Sequence, residues 1–371
     1  MKLIVPLMFS IILLAGFASS CKHNPVEPPP KCDTCKTDTT CDTCKHDTIP
    51  KVSDTTSHNF TWTQSTIPSE AGLTGCWVFG PNNVYVVGGS LHRSTDGKTW
   101  STFAPEDADR GFSLGGDLSG CTMFAFTEDD YWLVDGSAIH VTEGSTLAKV
   151  YRDIDTGSWK GLHSGWGTSS HDMYFVGDGG TILHFDGSSW TKMPSGTTKN
   201  ILSIWGTSDN NIWAAGFNST TAESVLLNYN GSVWQTIDLA KVGAIGPGLA
   251  GLEAVWTCDS SGHHITIASG SLIWQTTDNG LWRNDSGSVP NNLGGGSFDG
   301  LYLLSGNGAN DVMAAGSWGW VGHWSGLSWK RYDELYNYGT DFASYQLSVK
   351  ANTACVVGDK NASSWVAIGQ R

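Results

Sequence analysis

Gly165-Trp166-Gly167-Thr168-Ser169, Met173-Tyr174-Phe175-Val176-Gly177 and Thr181-Ile182-Leu183-His184-Phe185-Asp186-Gly187-Ser188-Ser189-Trp190 form a passage that the chain goes on to repeat. The next copy reads Ile204-Trp205-Gly206-Thr207-Ser208, Ile212-Trp213-Ala214-Ala215-Gly216 and Leu226-Leu227-Asn228-Tyr229-Asn230-Gly231-Ser232-Val233-Trp234. In both, strand-length runs of β-branched and aromatic residues are cut by Gly, Asn and Asp, which accept the backbone conformations of tight turns. Each copy therefore reads as four short antiparallel strands.

Weaker copies lie on both sides. Their first-strand markers are Trp77, Met123, Trp166, Trp205, Trp256, Leu304 and Leu347, separated by 46, 43, 39, 51, 48 and 43 residues. A period of about 40–50 residues is that of propeller blades, so the expected fold is all-β: a seven-bladed β-propeller of four-stranded antiparallel blades over residues 59–371. Strands apolar on both faces can pack against a neighbour on each side, and a ring of such sheets escapes the limit of roughly 250–300 residues on a single core. The ends bear on the same reading. The seventh copy stops after its third strand, Trp365-Val366-Ala367-Ile368, whereas Asn59-Phe60-Thr61-Trp62-Thr63-Gln64-Ser65 reads as a fourth strand with no copy of its own. The N-terminal strand is expected to complete the last blade and cover its edge.

Composition agrees with this. The 371 residues include 46 Gly and 18 Trp and are only 15% charged, which favours turns and aromatic packing over long helices. A net charge of −14 argues against nucleic acid as a partner and leaves cations, neutral glycans and basic proteins open. Residues 1–20 read as a signal peptide, with Lys2 ahead of an apolar stretch too short to span a bilayer as a helix. Ala18-Ser19-Ser20-Cys21 resembles a bacterial lipobox, apart from Ala18 in place of the usual Leu. That resemblance implies lipidation at Cys21, a membrane anchor through the lipid and, with Lys22 next, an outer-membrane location facing periplasm or cell surface. Residues 21–58 are rich in Cys, Thr, Asp and Pro, bury little and read as a disordered tether. Within it, Cys32, Cys35, Cys41 and Cys44 form two C-x-x-C pairs whose spacing is too short for a zinc ribbon. Metal binding, local disulfides and a plain spacer all remain open for them.

Ser94-Thr95-Asp96-Gly97-Lys98-Thr99-Trp100 resembles the Asp-box of bacterial-neuraminidase (BNR) repeats, shortened by one residue, and Thr276-Thr277-Asp278-Asn279-Gly280-Leu281-Trp282 is a poorer relative. About 300 residues are similar in repeat pattern to the BNR and photosystem II assembly factor-like propellers of bacterial exported proteins. The resemblance implies a fold and a structural turn, not a catalytic activity. A sialidase would need three converging arginines, and Arg93, Arg110, Arg152, Arg283, Arg331 and Arg371 do not recur at equivalent inner positions. His184 and His323 share an offset, with Asn228 between them in the series and His92 and His140 at shifted offsets. On diverging strands these suit hairpin hydrogen bonds rather than one metal. The paired His263 and His264 face opposite ways on a strand. Trp77, Trp166, Trp205 and Trp256 are expected to pack blade on blade. Cys76, Cys121, Cys258 and Cys355 read as buried thiols, a Cys76–Cys121 bridge being conceivable.

The connections between second and third strands and between blades share one face and are the long, irregular ones: 104–120, 152–164, 217–224, 238–251, 283–300 and 333–345. Irregular loops on a rigid scaffold are where binding sites usually lie. The candidate ligand-binding residues there are Glu106, Asp107, Asp109, Trp159, Trp318, Trp320, Tyr336 and Tyr338. The expected protein is a monomeric, non-catalytic, envelope-anchored binding or scaffold lipoprotein that engages a glycan or an envelope protein without a cofactor. A polysaccharide hydrolase or lyase and an assembly factor for an envelope complex are the alternatives.

Overall fold

The computed structural model describes residues 55–103, 120–142, 146–151, 161–218, 221, 223–239, 251–270, 273–278, 282–284, 300–337 and 342–371. Cys21 and the four tether cysteines lie outside them. The described residues form seven four-stranded antiparallel sheets. In six sheets the strands follow sequence order from inner to outer edge; in the seventh the order runs through Phe342–Lys350, Thr353–Lys360 and Ser363–Gln370 to Thr61–Ser65. The expected closure is thus present: Thr61 pairs with Gln370 and Ser65 with Val366. The innermost strands, Gly75–Gly80, Thr122–Thr127, Leu162–Ser169, Ser203–Ser208, Ala254–Ser260, Leu301–Gly308 and Phe342–Lys350, each contact the next, and the last contacts the first. They make a ring around a central axis.

All seven markers fall on these inner strands, but Met123, Leu304 and Leu347 are one residue out of register, and Trp256 stands opposite the fifth residue of its second strand, Ile267, although its ring meets Gly306 as that of Trp166 meets Gly206. Trp77, Trp166 and Trp205 stand opposite the third residue of the second strand (Tyr85, Tyr174 and Trp213). The residues so placed in blades 2, 6 and 7 are Phe124, Ser305 and Ser348, not Met123, Leu304 and Leu347. The slip matters because neighbouring residues on a strand face opposite ways.

Packing between sheets follows the repeat. The Trp166 and Trp256 rings are buried against the next blade, where Gly206 and Gly306 leave room: a Cβ on Gly206 would stand 2.7 Å from the Trp166 ring. Hydroxyls join the inner strands. Val255 N donates to Ser203 Oγ at 3.2 Å, Val349 N to Ser305 Oγ at 3.0 Å and Val78 N to Ser348 Oγ at 3.0 Å, so inner-edge amides that no fifth strand can reach are satisfied. Cys76, Cys121, Cys258 and Cys355 are free thiols, and Cys76 faces Cys355 rather than Cys121, with its Sγ 3.4 Å from the Cys355 carbonyl.

The hairpin turns explain the Asp-Gly motif. Asp186 Oδ1 accepts from the backbone N–H groups of Ser188 and Ser189 at 2.9 and 2.7 Å, and Asp96 does the same for Lys98 and Thr99 at 2.8 and 2.7 Å. The following Gly187 and Gly97 have φ of 88° and 72°. These bonds hold both carboxyls well below the usual range.

The repeated histidines take the expected hydrogen-bonding role. His140, His184 and His323 bond Asp130, Asp172 and Asp311, the first residue of the neighbouring strand in the same sheet, at 2.7, 2.7 and 2.8 Å. In blade 1 the equivalent residue is Arg93, bonded to Asn83 at 2.9 Å, whereas His92 faces the other way and bonds Glu70 at 2.8 Å. Sequence offset had separated His140 from its equivalents; strand register unites them. His263 and His264 bond separate carboxylates, Asp278 and Asp259.

Candidate binding site at the mouth of the axial channel

Each inner strand begins at the face that carries the blade-to-blade connections. Three residues before the aligned positions just described, the seven blades present Thr74, Cys121, His163, Leu202, Glu253, Tyr302 and Tyr345. His163, Tyr302 and Tyr345 are each the extra residue where the pairing skips, between Leu162 and Ser164, Leu301 and Leu303, and Ser344 and Gln346. Such bulges re-aim a side chain and are common beside functional sites. Five of the seven residues, His163, Leu202, Glu253, Tyr302 and Tyr345, line a cavity of about 140 Å³ on the axis.

The cavity has a floor. Trp77 and Phe124 meet edge to face with centroids 5.0 Å apart, and Phe124 reaches Trp205, two blades away, at 6.0 Å. Three residues of strand separate floor from rim, so the pocket is about 10 Å deep. Half-buried Trp77 and Trp205 therefore do more than pack between blades, which was the expectation for all four tryptophans. On the side of blades 7, 1 and 2 the channel is filled by Gln346. Its Oε1 accepts from Cys76 N and Met123 N at 2.8 and 3.0 Å, and its Nε2 donates to Met123 O at 2.7 Å.

Charge at the rim is unevenly distributed. His163 Nε2 is bonded to Asp178 at 2.8 Å. The Glu253 carboxylate has no hydrogen bond or ion pair among the described residues, and burial pushes its carboxyl up. Burial likewise raises the Tyr302 phenol, against hydrogen bonds to the Ser317 side chain and Ser344 backbone that lower it, and the nearby Glu253 and Asp359 charges act in the same direction as burial. Tyr345 is 42% exposed.

The candidates named from sequence fare differently. Glu106, Asp107, Asp109, Trp159 and Tyr338 lie outside the described residues. Trp320 is corrected: it is 1% exposed, packed in the core beside Trp256 and over Gly322, and no ligand can touch it. Its position just before the third strand of blade 6, Val321–Trp324, places it in the sheet-to-sheet interface. Trp318, two residues earlier, is half-buried and left-handed, with φ 54° and ψ 30°. Blade 3 has Gly179 in the corresponding turn at φ 59° and ψ 31°. A bulky residue in this region stores strain of about 1–3 kcal/mol, and such outliers gather at binding and active sites. Tyr336 is half-buried under the Arg331 guanidinium, 4.3 Å from its ring centroid. Four stretches read as loop are strand instead: Leu162–Ser164, Arg283–Asn284, Phe342–Tyr345, and the Phe217–Asn218 and Glu223–Ser224 ends of one hairpin. The sequence reading missed His163, Leu202, Glu253, Tyr302 and Tyr345 as a group.

The fold is shared widely. A solved structure described as YCF48 bound to D1 peptide superposes with a TM-score of 0.58 at 14% identity, covering 84% of this chain and 97% of that one. YCF48 from Cyanidioschyzon merolae gives 0.57 at 17% identity, covering 84% and 98%. The WD40 β-propeller domain of Doa1 gives 0.56 at 11%, covering 85% and 98%. At these identities the likeness is one of fold. No protein-family model and no curated protein matches the chain.

Proposed function

We propose that the chain is a non-catalytic binding protein that seats an extended segment of a partner protein over the axial mouth. The observation that carries this is the convergence of three bulged residues, His163, Tyr302 and Tyr345, on one blind pocket. A regular inner strand would need no bulge to close the ring, so the departures from register serve the pocket. The like-folded YCF48 provides a parallel, since one of its structures holds a D1 peptide. Anchorage in the outer membrane through a lipid on Cys21 belongs to the same proposal and rests on residues 1–22. An assembly role in an envelope complex is this reading with a stable partner.

The test is a photo-crosslinking residue at Tyr345 in the native host. A discrete protein adduct is expected there, and none from the same residue at Lys98 in a hairpin turn of the opposite face. Glycan-array binding that Tyr345→Ala abolishes, with no protein adduct, would replace the protein by a sugar. Product release from a polysaccharide panel would replace binding by catalysis. Mass spectrometry of the mature N-terminus is expected to find an acylated Cys21; a different, unmodified terminus removes the anchor.

A further inference from the structure

The pocket's chemistry narrows what enters it. Among the described residues its lining includes no lysine or arginine, and its ionisable groups other than Tyr302 and Tyr345 are Glu253 and His163. The imidazole is already bonded to Asp178, while the carboxylate has no hydrogen bond or ion pair among the described residues. A half-buried carboxylate without a partner costs free energy that an incoming positive charge would recover. The walls suit the same guest: Tyr302 and Tyr345 at the rim and Trp205 below line the space, and aromatic rings attract cations. At about 140 Å³ the space is close to that of a cavity that holds one benzene, about 150 Å³, so it admits one side chain rather than a folded element. The surrounding field points the same way, since a net charge of −14 draws cations and repels acidic segments.

We infer that the axial mouth selects a cationic side chain of the partner, the ammonium of lysine or the guanidinium of arginine, held between the Glu253 carboxylate and the Tyr302, Tyr345 and Trp205 rings. This rests on the reading of the mouth as a peptide site and gives that site its specificity. Binding gives the Glu253 carboxylate, which has no partner among the described residues, a charge-assisted hydrogen bond that favours its ionised form.

The experiment pans a random peptide display library against the purified full chain and synthesises the selected peptides. Enrichment of Lys or Arg at one fixed position is expected. Replacing that residue by its neutral isostere, norleucine or citrulline, should weaken binding roughly tenfold or more. Glu253→Gln should lower affinity for the cationic peptide by a similar factor and erase its preference over the isostere, with Glu253→Asp restoring part of it. Thermal melts check that the variants fold, and Tyr345→Ala, at an exposed position, offers a second variant expected to weaken the same peptide. Isosteres that bind as tightly as the cationic peptides, or a Glu253→Gln chain that still discriminates, would overturn the inference while leaving the mouth as a peptide site if Tyr345→Ala still weakens binding. Peptides indifferent to both Glu253→Gln and Tyr345→Ala would overturn both.

Discussion

Gly206 shows how a single residue sets the spacing of two sheets. Its missing side chain is the space that the Trp166 ring fills, and no rotamer of a larger residue avoids the contact because the crowding is at Cβ itself. Gly206→Ala is expected to cost about 1–3 kcal/mol by overpacking, measured by urea denaturation. Gly80→Ala, where nothing lies within 4 Å of the added carbon, serves as the control and should change stability by less than about 0.5 kcal/mol. At this scale the sequence was partly legible. The packing role of Trp166 followed from its recurrence, but Trp318 and Trp320 looked alike in the chain and have opposite fates. What separates them is the left-handed turn at Trp318, and a Trp in a position that favours glycine leaves no mark in a pattern of residue types.

Among elements, the closing strand is held by a cluster beside it. The Asp311 carboxylate binds the Arg371 guanidinium through both oxygens, at 2.9 Å to Nη1 and with Nη2 on the other oxygen, and also accepts from His323 and Asn307. Burial alone would raise the Asp311 carboxyl, but these bonds hold it below its usual range. Because His323 Nε2–H donates to Asp311, its Nδ1 is left to accept from His58 Nδ1 at 2.9 Å, ahead of the strand. His58 is pushed down to about 4 from 6.5, first by burial and then by His323, Lys330 and Arg371. The unfolded chain therefore takes up a proton near pH 6.5 that the folded one declines until about pH 4. This contribution is complete above pH 6.5 and is lost as the pH falls between those values. The melting temperature should drop across that interval, and His58→Gln should flatten the drop. The contribution of Asp311 has the same sign but fades only below about pH 4, the ordinary carboxylate range, so the two are separable. The elements themselves were readable from turn residues and periodicity. The rim of the pocket was not, because placing Met123, Leu304 and Leu347 one residue early puts Gly120, Leu301 and Ser344 where Cys121, Tyr302 and Tyr345 belong. A bulge adds a residue without changing composition, and only the pairing reveals it.

For the molecule as a whole, repeat counting gave the blade number, and the incomplete seventh copy gave the closure. The size of the pocket was beyond reach, since it depends on Gln346 crossing the channel and on Phe124 meeting Trp205 from two blades away. Deleting residues 55–65 is expected to expose the outer edge of the last sheet and produce concentration-dependent oligomers in sedimentation that the intact chain does not form. The pairing of Thr61 with Gln370 also fixes an order of events during synthesis. A ribosome must deliver the chain as far as Gln370 before the strand Thr61–Ser65 can complete its pairing, so six sheets wait in an open arc with an unprotected flank. For such a chain, holding the nascent polypeptide unfolded until translation ends is the safer course, and a chaperone that does so would act on the segment around Phe60 to Ser65.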